Sequence, residues 1–167
     1  TDKRVNMVTP ELFAEFPTAE KMAVADINRV EELIKTCGLY KTKAKDLILI
    51  AQKLVNDFGG TVPDTIEELT TLSGVGRKTA NLVCGDIYKK PAVVTDTHFI
   101  RIMNRLGFVS TENPLVVEKE MRKLLPPDKS NDFCHRTVLF GRDVCIARNP
   151  KCEICALKDI CKYKKKG

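Results

Sequence analysis

The sequence has no apolar run that approaches the roughly 20 residues a membrane-spanning helix needs, so a membrane-spanning protein is excluded. Its first residues are polar and charged, without the apolar segment that a secretory signal peptide carries. It also has no linker-like or low-complexity stretch apart from the lysine run at its end. We therefore expect a globular protein of 167 residues that resides in the cytosol or the nucleus.

The sequence has little that predicts β-structure. Residues 91–98 are short and β-branched, but no second convincing strand is available to pair with them. We predict that they form a loop leading into a helix that begins near Thr97. Because most of the remaining chain has the pattern of short helices, we predict an all-α fold.

The helices are predicted from apolar spacing and from capping residues. Between Lys45 and Phe58 the apolar residues recur on one face of an amphipathic helix, which ends at Gly59. Residues of the N-cap type precede other helix-compatible stretches, and Pro follows two of them at the first helical position: Thr9, Thr18, Asp26 and Asn113, with Pro10 and Pro114.

Histidine is scarce, and no ligand-type spacing links His98 to His135, so both are expected to be structural. Three of the seven cysteines stand apart from one another and are expected to be buried as small apolar residues: Cys37, Cys84 and Cys134. The four phenylalanines of the second half are expected to lie in the core: Phe99, Phe108, Phe133 and Phe140.

Nearly all the excess positive charge lies at the end of the chain. Residues 1–140 contain 20 Lys and Arg against 19 Asp and Glu, whereas residues 141–167 contain 8 against 3. The second segment also contains the other four cysteines, with spacing C-x6-C-x2-C-x5-C: Cys145, Cys152, Cys155 and Cys161. Thiols this close in a chain without secretory features indicate a metal centre rather than disulfides. Both zinc and iron–sulfur clusters accept four cysteines, so the spacing leaves the two open.

A glycine-rich turn joins two predicted helices near the middle of the chain. Gly74 and Gly76 permit positive φ and close backbone approach, and the helix from about Arg77 to Tyr88 begins with unpaired N–H groups. Such a turn can bind phosphate through backbone amides without reading sequence. The alternative is that the two glycines only permit a tight turn.

Lys78 and Asp96 are candidate catalytic residues. The helix dipole and Arg77 both disfavour the ammonium form of Lys78, and a neutral amine can form a Schiff base at a sugar carbon. The alternative is a surface lysine that binds phosphate. Asp96 is a candidate N-cap, and a carboxylate near a bound sugar can also stabilise positive charge or move protons.

Two runs, Leu-Ser-Gly-Val-Gly-Arg-Lys-Thr-Ala-Asn at 72–81 and Thr-Asp-Thr-His at 95–98, resemble the helix-hairpin-helix and the aspartate-bearing loop of the endonuclease III family of DNA glycosylases. The run Gly38-Leu39-Tyr40 and the four-cysteine run fit as well, so the resemblance covers essentially the whole chain. It implies a helix-hairpin-helix DNA glycosylase fold. A helical barrel domain would comprise residues 20–135, with the helix-hairpin-helix at about 65–88, and a cluster-bearing domain would comprise residues 1–19 and 136–167.

The resemblance implies a bifunctional DNA N-glycosylase and AP lyase that removes oxidised pyrimidines from damaged duplex DNA in base excision repair. The base is rotated out of the duplex, Lys78 displaces it at C1′ with Asp96 assisting, and the Schiff base permits β-elimination. The resemblance also decides for a [4Fe–4S] cluster on the four cysteines. It assigns DNA contacts to the hairpin and to the loop after the first cysteine: Gly74, Val75, Gly76, Arg77, Arg148 and Lys151.

Family members generally carry about two further helices upstream, ending in a glutamine just before the pair that is Thr1-Asp2 here. We therefore expect the sequence to lack those helices and to expose apolar surface where they would pack. We also expect a monomer without membrane partners, in the cytoplasm (nucleoid) if bacterial and in the nucleus if eukaryotic. Three alternatives stay open: a glycosylase for another lesion, such as a pyrimidine dimer or a mismatch; a non-catalytic DNA-binding module; and a zinc-bearing nucleic-acid protein.

Overall fold

The computed structural model describes residues 2–163, and the regular structure of these residues is helical throughout, which confirms the prediction of an all-α fold. The α-helices within this range are α1 (Asp2–Glu15), α2 (Ala19–Ala23), α3 (Ile27–Ile34), α4 (Tyr40–Phe58), α5 (Ile66–Leu69), α6 (Arg77–Leu82), α7 (Thr97–Leu106), α8 (Pro114–Leu124) and α9 (Ser130–Asp143). The chain divides into two compact units, Thr1–Gly76 and Arg77–Gly167. No helix in the described range is both long enough and apolar enough to cross a membrane.

The first unit is built around α4, which packs against α2 and α3, while α1 packs against α3. Its core consists of apolar side chains from all four helices: Leu12, Met22, Val30, Leu33, Ile34, Ala44 and Ala51. The predicted caps Thr18 and Asp26 accept backbone N–H groups at the starts of α2 and α3. As predicted, α4 ends at Gly59, whose φ of 58° lies in the left-handed region that glycine tolerates.

The prediction of a helix start at Thr9-Pro10 is wrong, because α1 begins at Asp2 and runs through both residues. A proline in a helix interior costs a hydrogen bond and clashes with the preceding turn. Here Val8 and Leu12 flank Pro10 and pack into the core of the first unit, and Leu12 is only 2% exposed. The burial of these side chains outweighs the local cost, since most helix stability in proteins comes from tertiary packing.

The second unit has its core between α7, α8 and α9. The buried residues include Phe99, whose ring meets Phe133 edge to face at 6.1 Å between centroids. Cys84 and Cys134 are buried here, and Cys37 is buried in the first unit, as predicted for all three. The expectation for Phe108 is wrong: its side chain follows the C-terminal end of α7 and is half exposed.

The hairpin helix begins at Arg77 as predicted, but its second half is not α-helical. After Leu82 the chain forms a π-helical turn over Val83–Ile87. Gly85 in this turn lies so close to Asn131 of α9 that a Cβ atom would collide with the amide. Residues 91–96 then run without regular structure to the start of α7 at Thr97, as predicted.

Candidate functional site

The glycine turn is shaped by a contact with α4 of the first unit. The Ser73 hydroxyl donates a hydrogen bond to Asp46 Oδ1 at 2.6 Å. Gly74 has a φ of 68°, and a Cβ atom at this position would lie 2.7 Å from Asp46 Oδ2. Gly74 is therefore required both by its backbone conformation and by the neighbouring carboxylate. Gly76 has open space around the position of a Cβ atom, so packing does not require glycine there.

Lys78 is exposed and is the second residue of α6. Its neighbour Arg77 has a protein partner, because the Arg77 guanidinium donates to both carboxylate oxygens of Glu118 at 2.7 and 2.9 Å. Glu118 lies on α8 with only 4% of its side chain exposed, whereas the Arg77 side chain is 43% exposed. Glu118 also pairs with Arg122, so it offsets only part of the charge of Arg77, and the predicted role of Arg77 in phosphate binding stays a prediction.

Glu118 remains ionised despite its burial. Burial desolvates the carboxylate and by itself raises the pKa of Glu118. Hydrogen bonds and the positive charges of Arg77 and Arg122 act in the opposite direction and outweigh burial, so the pKa lies below its ordinary value. Glu118 is therefore a charged anchor that holds the first turn of α6 against α8.

Asp96 caps α7, which confirms its predicted structural role. Its Oδ1 accepts the backbone N–H of Phe99 at 2.7 Å. The side chain is only partly buried. Capping fixes the carboxylate at the start of α7 while leaving it open on one side to solvent. Lys78 and Asp96 lie in the same unit, each at the start of a helix.

The four cysteines of the C-terminal run line one cavity of about 70 Å³. Apolar side chains complete most of its wall, including Ile102, Leu106, Phe140, Val144 and Leu157. None of these four cysteines forms a disulfide. Within residues 2–163 no three His, Cys, Asp or Glu side chains stand close enough to hold a single metal ion. The four cysteines and the apolar side chains line the same cavity.

Two arginines of α7 support the chain around the first of these cysteines. Arg101 donates to the carbonyls of Gly141 and Cys145 at 3.0 and 2.9 Å. Arg105 donates to the carbonyls of Ile146 and Ala147 at 2.8 and 2.9 Å and approaches Cys145 Sγ at 3.2 Å. Neither arginine was predicted from the sequence. The available signal for such a role was a pair of cations one helical turn apart on a helix with an otherwise apolar face.

The predicted DNA contacts of the C-terminal loop lie at the surface. Arg148 and Lys151 are exposed, and they flank the buried Pro150. Asn149 has a φ of 53°, so the loop turns sharply between the two cations. Because its first carbonyls are bound by Arg105, the loop is anchored at its base and presents its cations to solvent.

Comparison with known proteins identifies one family over most of the chain. Residues 1–127 match the model of the HhH-GPD superfamily of base excision DNA repair proteins. Residues 145–161 match the iron–sulfur binding domain of endonuclease III, and this range begins and ends at the first and last cysteines of the run. This match, together with the endonuclease III relatives, confirms the predicted [4Fe–4S] cofactor over zinc.

The similar proteins include endonuclease III of Thermotoga maritima, which is 42% identical over 99% of this chain and 78% of its own length. Endonuclease III of Escherichia coli is 38% identical over 99% of this chain and 79% of its own length. A solved non-covalent endonuclease III–DNA complex matches with a TM-score of 0.89 and 37% identity, over 97% of this chain and 76% of that one. The chain therefore belongs to the endonuclease III family of HhH-GPD base excision repair enzymes, which are DNA glycosylases with AP lyase activity.

Proposed function

We propose that this chain removes oxidised pyrimidines from duplex DNA and cleaves the resulting abasic site through a Schiff base on Lys78. The observation that carries the proposal is the arrangement in the second unit. An exposed lysine in the first turn of α6 and a helix-capping aspartate at the start of α7 occur in one compact unit of a base excision repair enzyme. A structure of a trapped endonuclease III–DNA covalent intermediate matches the chain with a TM-score of 0.90, which supports a covalent step.

In the proposed reaction the Lys78 amine, once neutral, attacks C1′ of the sugar whose base has been rotated out of the stack. The bond from C1′ to the base breaks, and the base leaves with the bonding electrons and takes up a proton. The amine nitrogen then loses one proton, which the Asp96 carboxylate can accept. The bond from C1′ to the ring oxygen O4′ breaks, O4′ takes up a proton, and the opened sugar is held on Lys78 as a protonated imine. Removal of a C2′ proton then expels the 3′ phosphate as the leaving group, and the strand is cut by β-elimination.

Asp96 assists this reaction as a fixed carboxylate. The bond from Phe99 N–H holds one of its oxygens at the start of α7. A negative charge held in place stabilises the positive charge that develops on the sugar as the base leaves, and the same group can accept a proton from the attacking amine. The cap and the catalytic role are compatible, because one carboxylate oxygen is sufficient for the cap.

We further propose that the [4Fe–4S] cluster is ligated by Cys145, Cys152, Cys155 and Cys161. Its role in this proposal is structural, because it holds the loop between its first two ligands in place. Supporting this, the four thiols line one apolar cavity, and the loop between the first two presents Arg148 and Lys151 to solvent. DNA backbone contacts are assigned to this loop and to the hairpin at Gly74, Val75, Gly76 and Arg77.

The partner in this proposal is double-stranded damaged DNA, and the enzyme acts as a monomer wherever that DNA resides: the nucleoid of a bacterium or the nucleus of a eukaryote. The proposed barrel domain of residues 20–135 and cluster-bearing domain of residues 1–19 and 136–167 belong to the same hypothesis. Its support is the family match over residues 1–127 and 145–161.

A second lesion class has one observation in its favour. The structure of a thermostable thymine-DNA glycosylase matches this chain with a TM-score of 0.89 and 28% identity, over 98% of this chain and 77% of that one. The endonuclease III–DNA complex is more similar in sequence, at 37% identity. We therefore favour oxidised pyrimidines over mismatched thymine.

The test is cleavage of duplexes that carry a single oxidised pyrimidine, a G·T mismatch, a pyrimidine dimer or an abasic site. We expect strand cleavage at the oxidised pyrimidine and at the abasic site by the chain, and no cleavage at the abasic site after Lys78→Gln. Lys119→Gln, which changes an exposed lysine on α8, is the matched control and should cleave normally. Cleavage at the G·T mismatch alone would assign mismatched thymine as the substrate in place of oxidised pyrimidines. Full cleavage at the abasic site by Lys78→Gln would overturn the assignment of AP lyase activity to Lys78.

A further inference from the structure

The segment before Asp96 has no strand beside it in the described part of the second unit, yet three of its backbone N–H groups are hydrogen-bonded. Three successive backbone N–H groups donate to side chains: Ala92 to Ser130 Oγ at 3.2 Å, Val93 to Asn81 Oδ1 at 3.3 Å, and Val94 to Cys134 Sγ at 3.3 Å. All three residues of the segment are buried. Side chains of neighbouring helices therefore accept the hydrogen bonds that a paired strand would otherwise accept, and they hold the backbone that leads to Asp96 in place.

Asn81 links this segment to the hairpin helix. Its amide nitrogen donates to the Arg77 carbonyl at 3.1 Å and to Glu118 Oε2 at 3.3 Å. Its amide oxygen accepts from Val93 N–H and from Arg122 Nη2, the latter at 2.8 Å. Asn81 is 1% exposed, and both donors and both lone pairs of its amide have partners.

Arg122 links the same segment to α8. It donates to Glu118 Oε1 at 3.0 Å and, through Nη1, to the Pro91 carbonyl at 3.3 Å. Glu118 in turn binds Arg77, the residue before Lys78. One network of the buried Asn81 and Glu118 with the more exposed Arg77 and Arg122 is thus bonded both to the first turn of α6 and to the segment that leads to Asp96.

We infer that this four-residue network sets the position of Lys78 relative to Asp96, and that Asn81, Glu118 and Arg122 are positioning residues for the reaction. The inference rests on the proposed roles of Lys78 and Asp96. Lys78 is exposed, and the first turn of α6 is bonded to α8 through Arg77 and Glu118, so the placement of that turn depends on this bond. Asp96 is placed by a segment without regular structure, so its position depends on the same bonds.

The network does not include Arg148 and Lys151, the DNA contacts assigned to the C-terminal loop, but it does include Arg77, a DNA contact assigned to the hairpin. Arg122→Gln leaves the Arg77–Glu118 pair in place and therefore tests the positioning role apart from DNA contact. Loss of the network should displace Lys78 and Asp96 from each other while leaving Arg148 and Lys151 in place. A displacement on the order of 1 Å between reacting groups costs on the order of 100-fold in rate. The expected signature is a fall in the chemical step at saturating DNA with little change in DNA affinity.

The test uses Glu118→Gln and Arg122→Gln in the full chain with its cluster, each on abasic-site duplex. Single-turnover borohydride trapping at saturating enzyme gives the rate of the chemical step, and Kd is measured with a duplex carrying a non-reactive abasic analogue. Lys123→Gln is the matched control, since it removes an exposed cation beside Arg122 whose partner is Glu120.

We expect each variant to lower the trapping rate by about tenfold or more. Arg122→Gln, which leaves the Arg77–Glu118 pair in place, should change Kd by less than about threefold. The double variant should be no slower than the slower single variant, because the two residues act as one unit. Wild-type trapping rates in both variants would overturn the inference but leave the proposed function intact. Equal losses of trapping rate and of DNA affinity in Arg122→Gln would do the same. If Glu118→Gln does not fold, Arg122→Gln decides alone, because it leaves the Arg77–Glu118 pair in place. Absence of trapping in the wild type would instead refute the proposed function.

Discussion

The observed cap and the proposed catalytic role of Asp96 can be separated by substitution. Asparagine keeps an oxygen that accepts the Phe99 N–H but removes the negative charge. We expect Asp96→Asn to retain the thermal stability of the wild type and to lose base release by about 10²- to 10⁴-fold. Asp96→Ala should also lose about 1 kcal/mol of unfolding free energy, because it removes the cap. A stable Asp96→Asn variant with normal base release would show that the cap is the only role.

The cysteines outside the C-terminal run should be chemically inert. Burial raises the pKa of the Cys134 thiol to about 11, with a smaller contribution in the same direction from the charge of Asp96. Because the thiolate is the reactive form, Cys134 should resist alkylation at neutral pH in the folded protein and react once the chain is denatured. Mass spectrometry after brief iodoacetamide treatment checks this, with the denatured chain as the reference. Fast labelling of Cys134 in the folded state would contradict its burial.

Single residues were predicted from the sequence where a local rule applies. The caps at Thr18, Asp26, Asn113 and Asp96 follow from residue type and position, and the structure contains all four. Glu118 was not predicted, because two of its three partners, Arg77 and Asn81, are 41 and 37 residues away along the chain. The available signal was a carboxylate beside Val117 on the buried face of an amphipathic helix, where an unpaired charge would be costly.

At the scale of elements, α7 is the support of the C-terminal loop. Arg105 binds two loop carbonyls, contacts Cys145 Sγ and lies 4.4 Å from the centre of the Tyr163 ring. We expect Arg105→Gln to accelerate loss of iron by on the order of tenfold or more, because groups around metal ligands typically affect metal affinity by that factor. Iron and sulfide content after incubation with a chelator provides the measurement.

The control for Arg105→Gln is Arg136→Gln on α9, which removes only an exposed pair with Asp132 and should retain iron like the wild type. Equal iron retention in the Arg105 and Arg136 variants would mean that Arg105 does not support the cluster loop.

The contact between α6 and α8 should depend on pH. The pKa of Glu118 lies below its ordinary value in the folded chain, so the stabilisation is complete above about pH 4.5 and is lost as pH falls through the folded pKa. Glu118→Gln removes this titration. We expect the unfolding free energy of the wild type to fall more steeply below pH 4.5 than that of the variant. Parallel pH profiles from urea denaturation would contradict the ionised state of Glu118.

Helix boundaries were predictable to the extent that local signals determine them. Gly59 and Thr97 mark boundaries that the structure contains. The start of α1 was not predictable from Thr9-Pro10, because packing of Leu12 in the core overrides the proline. The π-helical turn after Leu82 has no local signal either, since it depends on the close approach of Gly85 to Asn131 of α9.

At the scale of the whole molecule, DNA affinity should depend on salt through the exposed cations. The logarithm of affinity falls with the logarithm of salt concentration by about 0.9 per phosphate contact in duplex DNA. We expect the double substitution Arg148→Gln and Lys151→Gln to reduce that slope by about 1.8 if each side chain binds one phosphate. Fluorescence anisotropy at several salt concentrations measures it. A slope unchanged from the wild type would place the DNA contact elsewhere.

The function of the molecule was accessible from its sequence because its motifs are contiguous. The run at 72–81 and the four-cysteine run each lie within a short stretch of sequence, so residue type and spacing are enough to recognise them. The network that joins α6, α8 and the segment before Asp96 is formed by residues far apart in the sequence, and only the fold brings them together.

The most direct test of the whole proposal is to locate the covalent bond to DNA. The intact chain is incubated with an abasic-site duplex and borohydride, which reduces the imine to a stable amine, and the digested adduct is mapped by mass spectrometry. We expect the sugar remnant on the peptide that contains Lys78, and on that lysine alone. A remnant on another lysine or on the N-terminal amine would contradict the assignment of Lys78 as the nucleophile.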